Sequence, residues 1–166
     1  MPVYFFTFHA YRSWMPDRGR GYVRRHKGIL PPDKAMADAY RGSAVDDVTI
    51  LTAPIQRTLL EEAQIAAGYQ NFTLHGGSTE PSHLHLIVSW RDQRSTLHVR
   101  NGVKQSLSRR LTRLSDENHV RFSDNASQKR VRDQEHLTYL LTTYLPKHRG
   151  FAWYSDHRAW IDQLLQ

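Results

Sequence analysis

The chain contains no cysteine. That excludes disulfide staples, cysteine-bound zinc and thiol nucleophiles, and it suits a reducing compartment. It also lacks any apolar run near the ~20 residues that cross a bilayer. The opening Met1-Pro2-Val3-Tyr4-Phe5-Phe6 has neither the charge nor the length of a secretory leader. A cytoplasmic location with no membrane partner is therefore expected. Glycine forms no phosphate-cradling loop: Gly76-Gly77 is a turn signal with no Walker-type lysine after it. There is no internal repeat and no low-complexity stretch. Acidic residues are in deficit, 16 against 23 lysines and arginines, for a net charge of +7 and a pI near 9.9. Such a balance favours polyanionic partners, nucleic acid first.

What is present fits one folded domain over residues 1–166. A length of 166 residues, 39% of them hydrophobic, is enough for a core. Basic residues gather in 18–27, 100–113 and 129–132, and aromatic residues border two of these clusters, as in a groove that tracks a nucleic-acid strand. Residues 3–9, aromatic and β-branched, read as a strand, and 11–27 as an irregular basic loop. A short helix is expected at 34–40 and a break at 42–47. Residues 48–51 form a short strand or an extended lead-in. Ala53-Pro54 opens a helix in which Ile55, Leu59, Ala63 and Ala66 recur at helical spacing up to Gly68. Residues 71–75 read as a strand, 76–81 as a turn and 83–90 as a second, antiparallel strand.

A helix capped by Ser95 or Thr96 runs to Leu114 with Leu97, Val103, Leu107 and Leu111 inward. Residues 115–127 read as a polar, mobile loop, and Val131 as the start of a short strand. Asp133 caps a helix striped by Leu137, Leu140, Leu141 and Leu145 and stopped by Pro146. The tail 151–166, with Trp153, Tyr154 and Trp160, is expected to be helical. This order predicts an α+β sandwich with a central antiparallel sheet, ferredoxin-like or RRM-like.

His83-Leu84-His85 is the most informative feature. On a strand, residues two apart share a face, so the two imidazoles make half of a divalent-metal site. The bland alternative is a pair of half-exposed strand histidines. Tyr139, Tyr144 and His148 follow on the C-terminal helix. A phenol, with a pKa near 10, must lose its proton to attack, and it becomes a useful nucleophile when a metal polarises a phosphodiester. The phosphotyrosine so formed conserves the bond for religation.

Four stretches in order resemble the single-tyrosine HUH transposases, especially the REP-associated tyrosine transposases. They are Tyr4-Phe5-Phe6-Thr7-Phe8 leading to Tyr11-Arg12-Ser13-Trp14-Met15-Pro16-Asp17, then His83-Leu84-His85-Leu86-Ile87, then the basic helix from His98-Val99-Arg100, and finally Tyr144-Leu145-Pro146-Lys147-His148-Arg149-Gly150. The resemblance implies an HUH-type fold and a metal-dependent endonuclease and strand transferase acting on single-stranded DNA beside a hairpin. It implies Mg²⁺ or Mn²⁺ on His83 and His85, a 5′-phosphotyrosine and, as one arrangement, a homodimer. In that family a polar residue four positions after the tyrosine completes the metal site. Here Tyr144 is followed at that spacing by His148 and Tyr139 by Thr143, which makes Tyr144 the expected nucleophile, Tyr139 the reserve and His148 the third ligand. The chain departs from the family in having an imidazole in place of an amide at His148, Pro146 inside the interval, and no asparagine before His83.

Each candidate has an ordinary counterpart. The tyrosines suit a core edge, His148 a helix-end cation, His75 a structural histidine and Glu80 a solvated turn. His9 and His26 have no distinguishing spacing. Arg12, Arg18, Arg20, Arg24 and Arg25 are candidate phosphate contacts, with Trp14 and Tyr22 to stack bases. Against this stands a solvated loop with a packed tryptophan. Arg100, Lys104, Arg109 and Arg110 are candidates to track a hairpin stem, or else the exposed face of an amphipathic helix. Two other functions remain in view: a non-catalytic nucleic-acid-binding module, and a metal phosphodiesterase in which water attacks.

Overall fold

The computed structural model describes residues 1–24, 27–44, 47–114, 120–124 and 126–155. In order these form β1 (Val3–His9), β2 (Tyr22–Arg24), β3 (Gly28–Leu30), α1 (Lys34–Gly42), α2 (Ala53–Tyr69), β4 (Thr73–Glu80), β5 (His83–Ser89), α3 (Thr96–Leu114), β6 (Ser127–Arg130), α4 (Gln134–Tyr139), a π-helical turn Leu140–Tyr144, a 3₁₀ turn Leu145–Lys147 and β7 (Ala152–Tyr154). The main sheet is antiparallel, in the order β6-β1-β5-β4-β7, while β2 and β3 pair separately. This is the expected α+β class.

Strand alternation sorts the residues. Phe6 and Phe8 of β1 and Leu84, Leu86 and Val88 of β5 enter one core. There they meet Leu59, Leu60, Ala63 and Ala66 of α2 and Val99, Val103, Leu107 and Leu111 of α3. Each large side chain removed from water contributes roughly 1.5–3 kcal/mol, so this layer supplies most of the stability. On the opposite face Phe5 and Ile87 pack with Val131, Leu137, Leu140, Leu141 and Leu145. This smaller cluster leaves the His83 end of that face to polar groups.

Gly76 and Gly77 let both layers approach the sheet. A Cβ at Gly76 would lie 3.0 Å from Leu141 Cδ2, and one at Gly77 2.8 Å from Leu86 Cδ2 and 3.0 Å from Leu60 Cδ2. The pair was expected in a turn. It lies instead inside β4, which runs on to Glu80 and leaves only Pro81-Ser82 as the turn. Glycines can mark close approach of packing layers as well as a reversal.

Other expectations shift too. The basic loop contains a strand, β2. Residues 48–51 are an extended lead-in, tied by Thr49 N–H to the Tyr11 carbonyl and by Leu51 N–H to that of Pro81. Leu97 is 51% exposed, and Val99 occupies the inward position. In the loop before β6, Phe122 bridges to Ala10 and is buried. β6 ends before Val131. The start of the tail is a strand, β7, because Trp153 pairs with Gly77. Trp160 and the rest of the tail lie outside the described residues.

Gly77→Ala should lower stability by about 1–3 kcal/mol through overpacking. Gly68→Ala, with nothing within 4 Å of the added methyl, should raise it by about 0.5–1 kcal/mol. Thermal melts of the two variants check the ordering, and a Gly77→Ala melt at or above wild type would contradict the packing argument.

Candidate metal centre

His83 and His85 leave the same face of β5, beside Phe5, Thr7 and His9 of β1 and Ser78 and Glu80 of β4. His148 reaches them from the end of the 3₁₀ turn. One ligating nitrogen from each of the three rings lies within 4.8 Å of the others. The ring centroids are 4.5 Å apart for His83 and His85, 4.6 Å for His85 and His148, and 5.4 Å for His83 and His148.

Each ring is held through Nδ1. His85 Nδ1 lies 2.8 Å from Thr7 Oγ1, and His83 Nδ1 2.7 Å from Ser82 Oγ. His148 Nδ1 sits 3.0 Å from the Tyr144 carbonyl and 3.3 Å from that of Leu145. A carbonyl only accepts, so His148 Nδ1 carries the hydrogen and Nε2 keeps a lone pair. A hydroxyl can accept from Nδ1 of the other two, the arrangement in which all three Nε2 atoms take the ligand form. His85 Nε2 and Ser78 Oγ are buried with no hydrogen-bond partner among the described residues. Ser78 stands directly across from His85, so both orphaned atoms lie on the site face. Orphaned buried polar atoms are costly, and a divalent cation would satisfy His85 Nε2.

The electrostatics agree. Burial pushes the His83 imidazole down to about 4; the Glu80 carboxylate opposes this, while His9, His148 and Arg18 add to it. Burial, then His83, His148, His9 and Lys129, push His85 down to about 2. Both rings are therefore neutral near pH 7, as metal ligands must be. The His83 side chain is 17% exposed and that of Glu80 32%, with 4.0 Å between His83 Nδ1 and Glu80 Oε2. Glu80 is thus a strand residue beside the site and not a turn residue.

Tyr144 lies at the triad. Its ring is 5.0 Å from His148, 5.4 Å from His85 and 5.6 Å from Phe5, which itself stacks on His85 at 4.8 Å. Burial, then Tyr139 and Glu80, raise the Tyr144 pKa. Tyr139 is 47% exposed and contacts Tyr144 at 6.4 Å. The expected helix does not carry Tyr144 to His148. A π turn and a 3₁₀ turn intervene, and His148 is extended at φ −75°, ψ 134°.

The basic loop borders the site. Ser13 Oγ donates to the Ser82 carbonyl and Arg18 to that of Ser13, which brings Arg18 close enough to act on His83 and His9. Trp14 is half-buried and packs edge-on to Tyr22 at 6.3 Å. Arg20 and Arg24 are exposed, Arg12 is half-buried at φ 58°, and Arg25 and His26 lie outside the described residues. On α3, across the sheet from the histidines, Arg100 donates to the Ala126 carbonyl and Lys104 to those of Ser123 and Asp124. Those bonds tie α3 to the segment before β6, while Arg109 is exposed and Arg110 half-buried. His75 is buried against Ser89 Oγ at 2.7 Å, the structural role weighed for it. Thr7, Ser78, Ser82 and Lys129 were missed from sequence. Thr7, Ser78 and Lys129 are identified by cross-strand register, which a single strand does not display, and Ser82 by its hydroxyl on the ring of the next residue, His83.

No protein-family profile and no curated protein matches the chain by sequence. Among solved structures, a candidate transposase from Deinococcus radiodurans R1 is similar over 91% of this chain and 94% of its own, at 11% identity and TM-score 0.52. A REP-associated tyrosine transposase bound to a REP hairpin covers 83% of this chain at 10% identity and TM-score 0.45. This chain spans 61% of that protein's length. The likeness is one of fold.

Two measurements follow from the geometry. Millimolar Mn²⁺ should raise the melting temperature of the wild type but not of His85→Gln, and Thr7→Val should weaken Mn²⁺ affinity about tenfold. An equal shift in wild type and His85→Gln would place the ion elsewhere. In the metal-free protein, both histidines take a proton near pH 6.5 when unfolded but resist it to about 4 and about 2 when folded. Between those limits the unfolded state holds more protons, so stability falls as pH drops, by up to about 1.4 kcal/mol per pH unit for each ring. Urea titrations between pH 6 and 5 should show a shallower slope in His85→Gln; an unchanged slope would mean that His85 is protonated in the folded state.

Proposed function

We propose that this protein is a metal-dependent single-stranded DNA endonuclease and strand transferase, a transposase of the single-tyrosine HUH type, with Tyr144 as nucleophile. The observation that carries the reading is the convergence of His83, His85 and His148, each tethered through Nδ1, with the Tyr144 ring 5.0 Å from His148. The fold likeness and the ordered sequence motifs support it. Hairpin recognition rests on the motifs.

His83, His85 and His148 would hold Mg²⁺ or Mn²⁺, which supplies Lewis acidity at a phosphoryl oxygen. Tyr144 Oη attacks phosphorus, a tyrosyl O–P bond forms, and the bond to the 3′ oxygen breaks. The phenolic proton ends on the departing 3′ oxygen, leaving a 3′-hydroxyl and a 5′-phosphotyrosine. One phosphodiester replaces another, so the joining step needs no added energy. Burial keeps the phenol protonated at neutral pH, which confines ionisation to the moment of attack.

Arg18 from the basic loop and Lys129, opposite Phe5 on β6, place positive charge at the rim, where a phosphate backbone would approach. Arg12, Arg20 and Arg24 would extend that track, with Trp14 buttressing the loop, and Arg25 continues the same sequence cluster. Arg109 and Arg110 remain candidates for a hairpin stem; Arg100 and Lys104 hold α3 in place beside them. Tyr144 lies beside the histidines of its own chain, which supports a site complete in one copy, whether or not a homodimer forms.

The test incubates the protein with labelled single-stranded DNA bearing a hairpin from its own gene's flanks and Mn²⁺, followed by a denaturing gel. An SDS-stable, slower band should appear, disappear in Tyr144→Phe and persist in Tyr139→Phe. Cleavage without an adduct would replace this reading with attack by water, and binding without cleavage would leave a nucleic-acid-binding module.

A further inference from the structure

A cavity of about 530 Å³ opens beside the histidines, lined by Ala53, Gln56, Glu80, Pro81, Arg149, Gly150 and Phe151. Two of its lining residues belong to the neighbourhood of the triad: Glu80 lies 4.0 Å from His83, and Arg149 follows His148. Its back wall is rigid. Gln56, buried on α2, donates to the Leu51 carbonyl at 2.7 Å and accepts from Thr79 Oγ1 at 2.9 Å. Thr79 in turn accepts from Phe151 N–H at 2.9 Å and donates its backbone N–H to the Phe151 carbonyl at 2.9 Å. Gly150 passes so close that a Cβ would lie 2.1 Å from the Thr79 carbonyl oxygen. The guanidinium of Arg57 covers the Phe151 ring at 5.0 Å and fixes it further. The back wall of the cavity is therefore preformed.

The remaining polar groups are unspent. Arg149 is exposed and makes no side-chain hydrogen bond or ion pair among the described residues, and Glu80 has only the long contact to His83. An aromatic ring, a donor fork and an acceptor around a mostly apolar space suit a planar heterocycle with both donors and acceptors on its edge. The volume is that of a small-molecule site, and it adjoins the place where a strand's phosphate would sit.

We propose that this cavity receives one unpaired nucleobase of the strand being cut, set against Phe151 and read by Glu80 and Arg149, with cytosine preferred over thymine. The proposal rests on the reading of the protein as a single-stranded DNA enzyme. Cytosine presents an amino group at C4 that a carboxylate accepts from, beside N3 and O2 that a guanidinium donates to. Thymine places a carbonyl at C4, which would set oxygen against the Glu80 carboxylate.

The experiment measures binding of fluorescent deoxycytidine and thymidine 12-mers by anisotropy at pH 7.5 with EDTA, so that neither metal nor cleavage contributes. The wild type should bind the cytidine oligomer at least about fivefold more tightly. Glu80→Gln, whose amide both donates and accepts, should bring the ratio near one. Phe151→Ala should weaken both oligomers about tenfold. If Phe151→Ala fails to fold, the exposed Arg149→Ala carries the test and should weaken the cytidine oligomer more than the thymidine one. Equal wild-type affinities, or a preference that survives Glu80→Gln, would overturn the proposal. The adduct assay reports separately on the enzyme: no adduct with the base preference intact sinks that reading and leaves the pocket, whereas an adduct with no preference sinks only the pocket.

Discussion

The register of β5 between β1 and β4 is the constraint on which the rest depends. β5 is the central strand, buried on both faces, and its two-residue period sends Leu84, Leu86 and Val88 to the α2–α3 core. The same period sends His83, His85 and Ile87 to the other side. A slip of one residue would put two imidazoles into the main core and three aliphatic side chains onto the site face. The apolar residues therefore fix the histidines: the burial that stabilises the sheet is what aims the site. The same register supplies the partners, since Thr7 and Ser78 flank His85 in one row while His9 and Glu80 flank His83 in the next.

The site holds what the rest of the fold avoids. Three imidazoles with ring centroids within 5.4 Å, an orphaned His85 Nε2 and an orphaned Ser78 Oγ all oppose stability without a ligand. The α2–α3 layer, apolar and closely packed through Gly77, offsets this cost. Such division of labour is common: local rules are broken where function needs it, and regular packing elsewhere tolerates the breach. The basic rim adds to the tension, because Arg18 and Lys129 disfavour protonation of the histidines that they surround. The consequence suits both demands, since positive charge that keeps the imidazoles neutral also attracts a phosphate.

Much of this was legible in the sequence, and the failures have a common cause. The strands over Val3–His9 and His83–Ser89 and the helices α2 and α3 announce themselves by local periodicity, so their residues could be read directly, and their faces too except at the start of α3, where Val99 and not Leu97 turns inward. The Gly76-Gly77 pair could not. Local chemistry says turn, whereas the structure uses the two glycines to admit Leu141 on one face and Leu60 on the other. β2, β6 and β7 are three or four residues long and exist only because a neighbour pairs with them. Thr7 and Lys129 carry no local signal, because their importance is nearness to a histidine contributed by another strand. The basic helix has structural duties that its sequence does not show. Arg100 and Lys104 resemble a DNA track in sequence, yet each is occupied with backbone carbonyls near β6.

His148 shows how an alternative posed from sequence can dissolve in three dimensions. Helical spacing would set Tyr144 and His148 on one face, and Pro146 argues against it, since a proline disfavours the helical conformation of the residue before it. The chain takes neither course. A π turn closes with Leu145 N–H on the Leu140 carbonyl, and a 3₁₀ turn follows that accepts Pro146 near its start. His148 then leaves the helical region, and its ring folds back so that Nδ1 donates to the carbonyls of Tyr144 and Leu145. The Leu145 carbonyl also accepts from the His148 backbone N–H at 3.2 Å, so the ring adds a second bond at the end of the turn. The sequence set a helix-end cation against a metal ligand for this residue, and the structure offers instead a helix-end hydrogen bond and a ligand lone pair. They belong to opposite nitrogens of one ring, and the first enables the second: the capping bond fixes the hydrogen on Nδ1 and so leaves Nε2 bare toward His83 and His85.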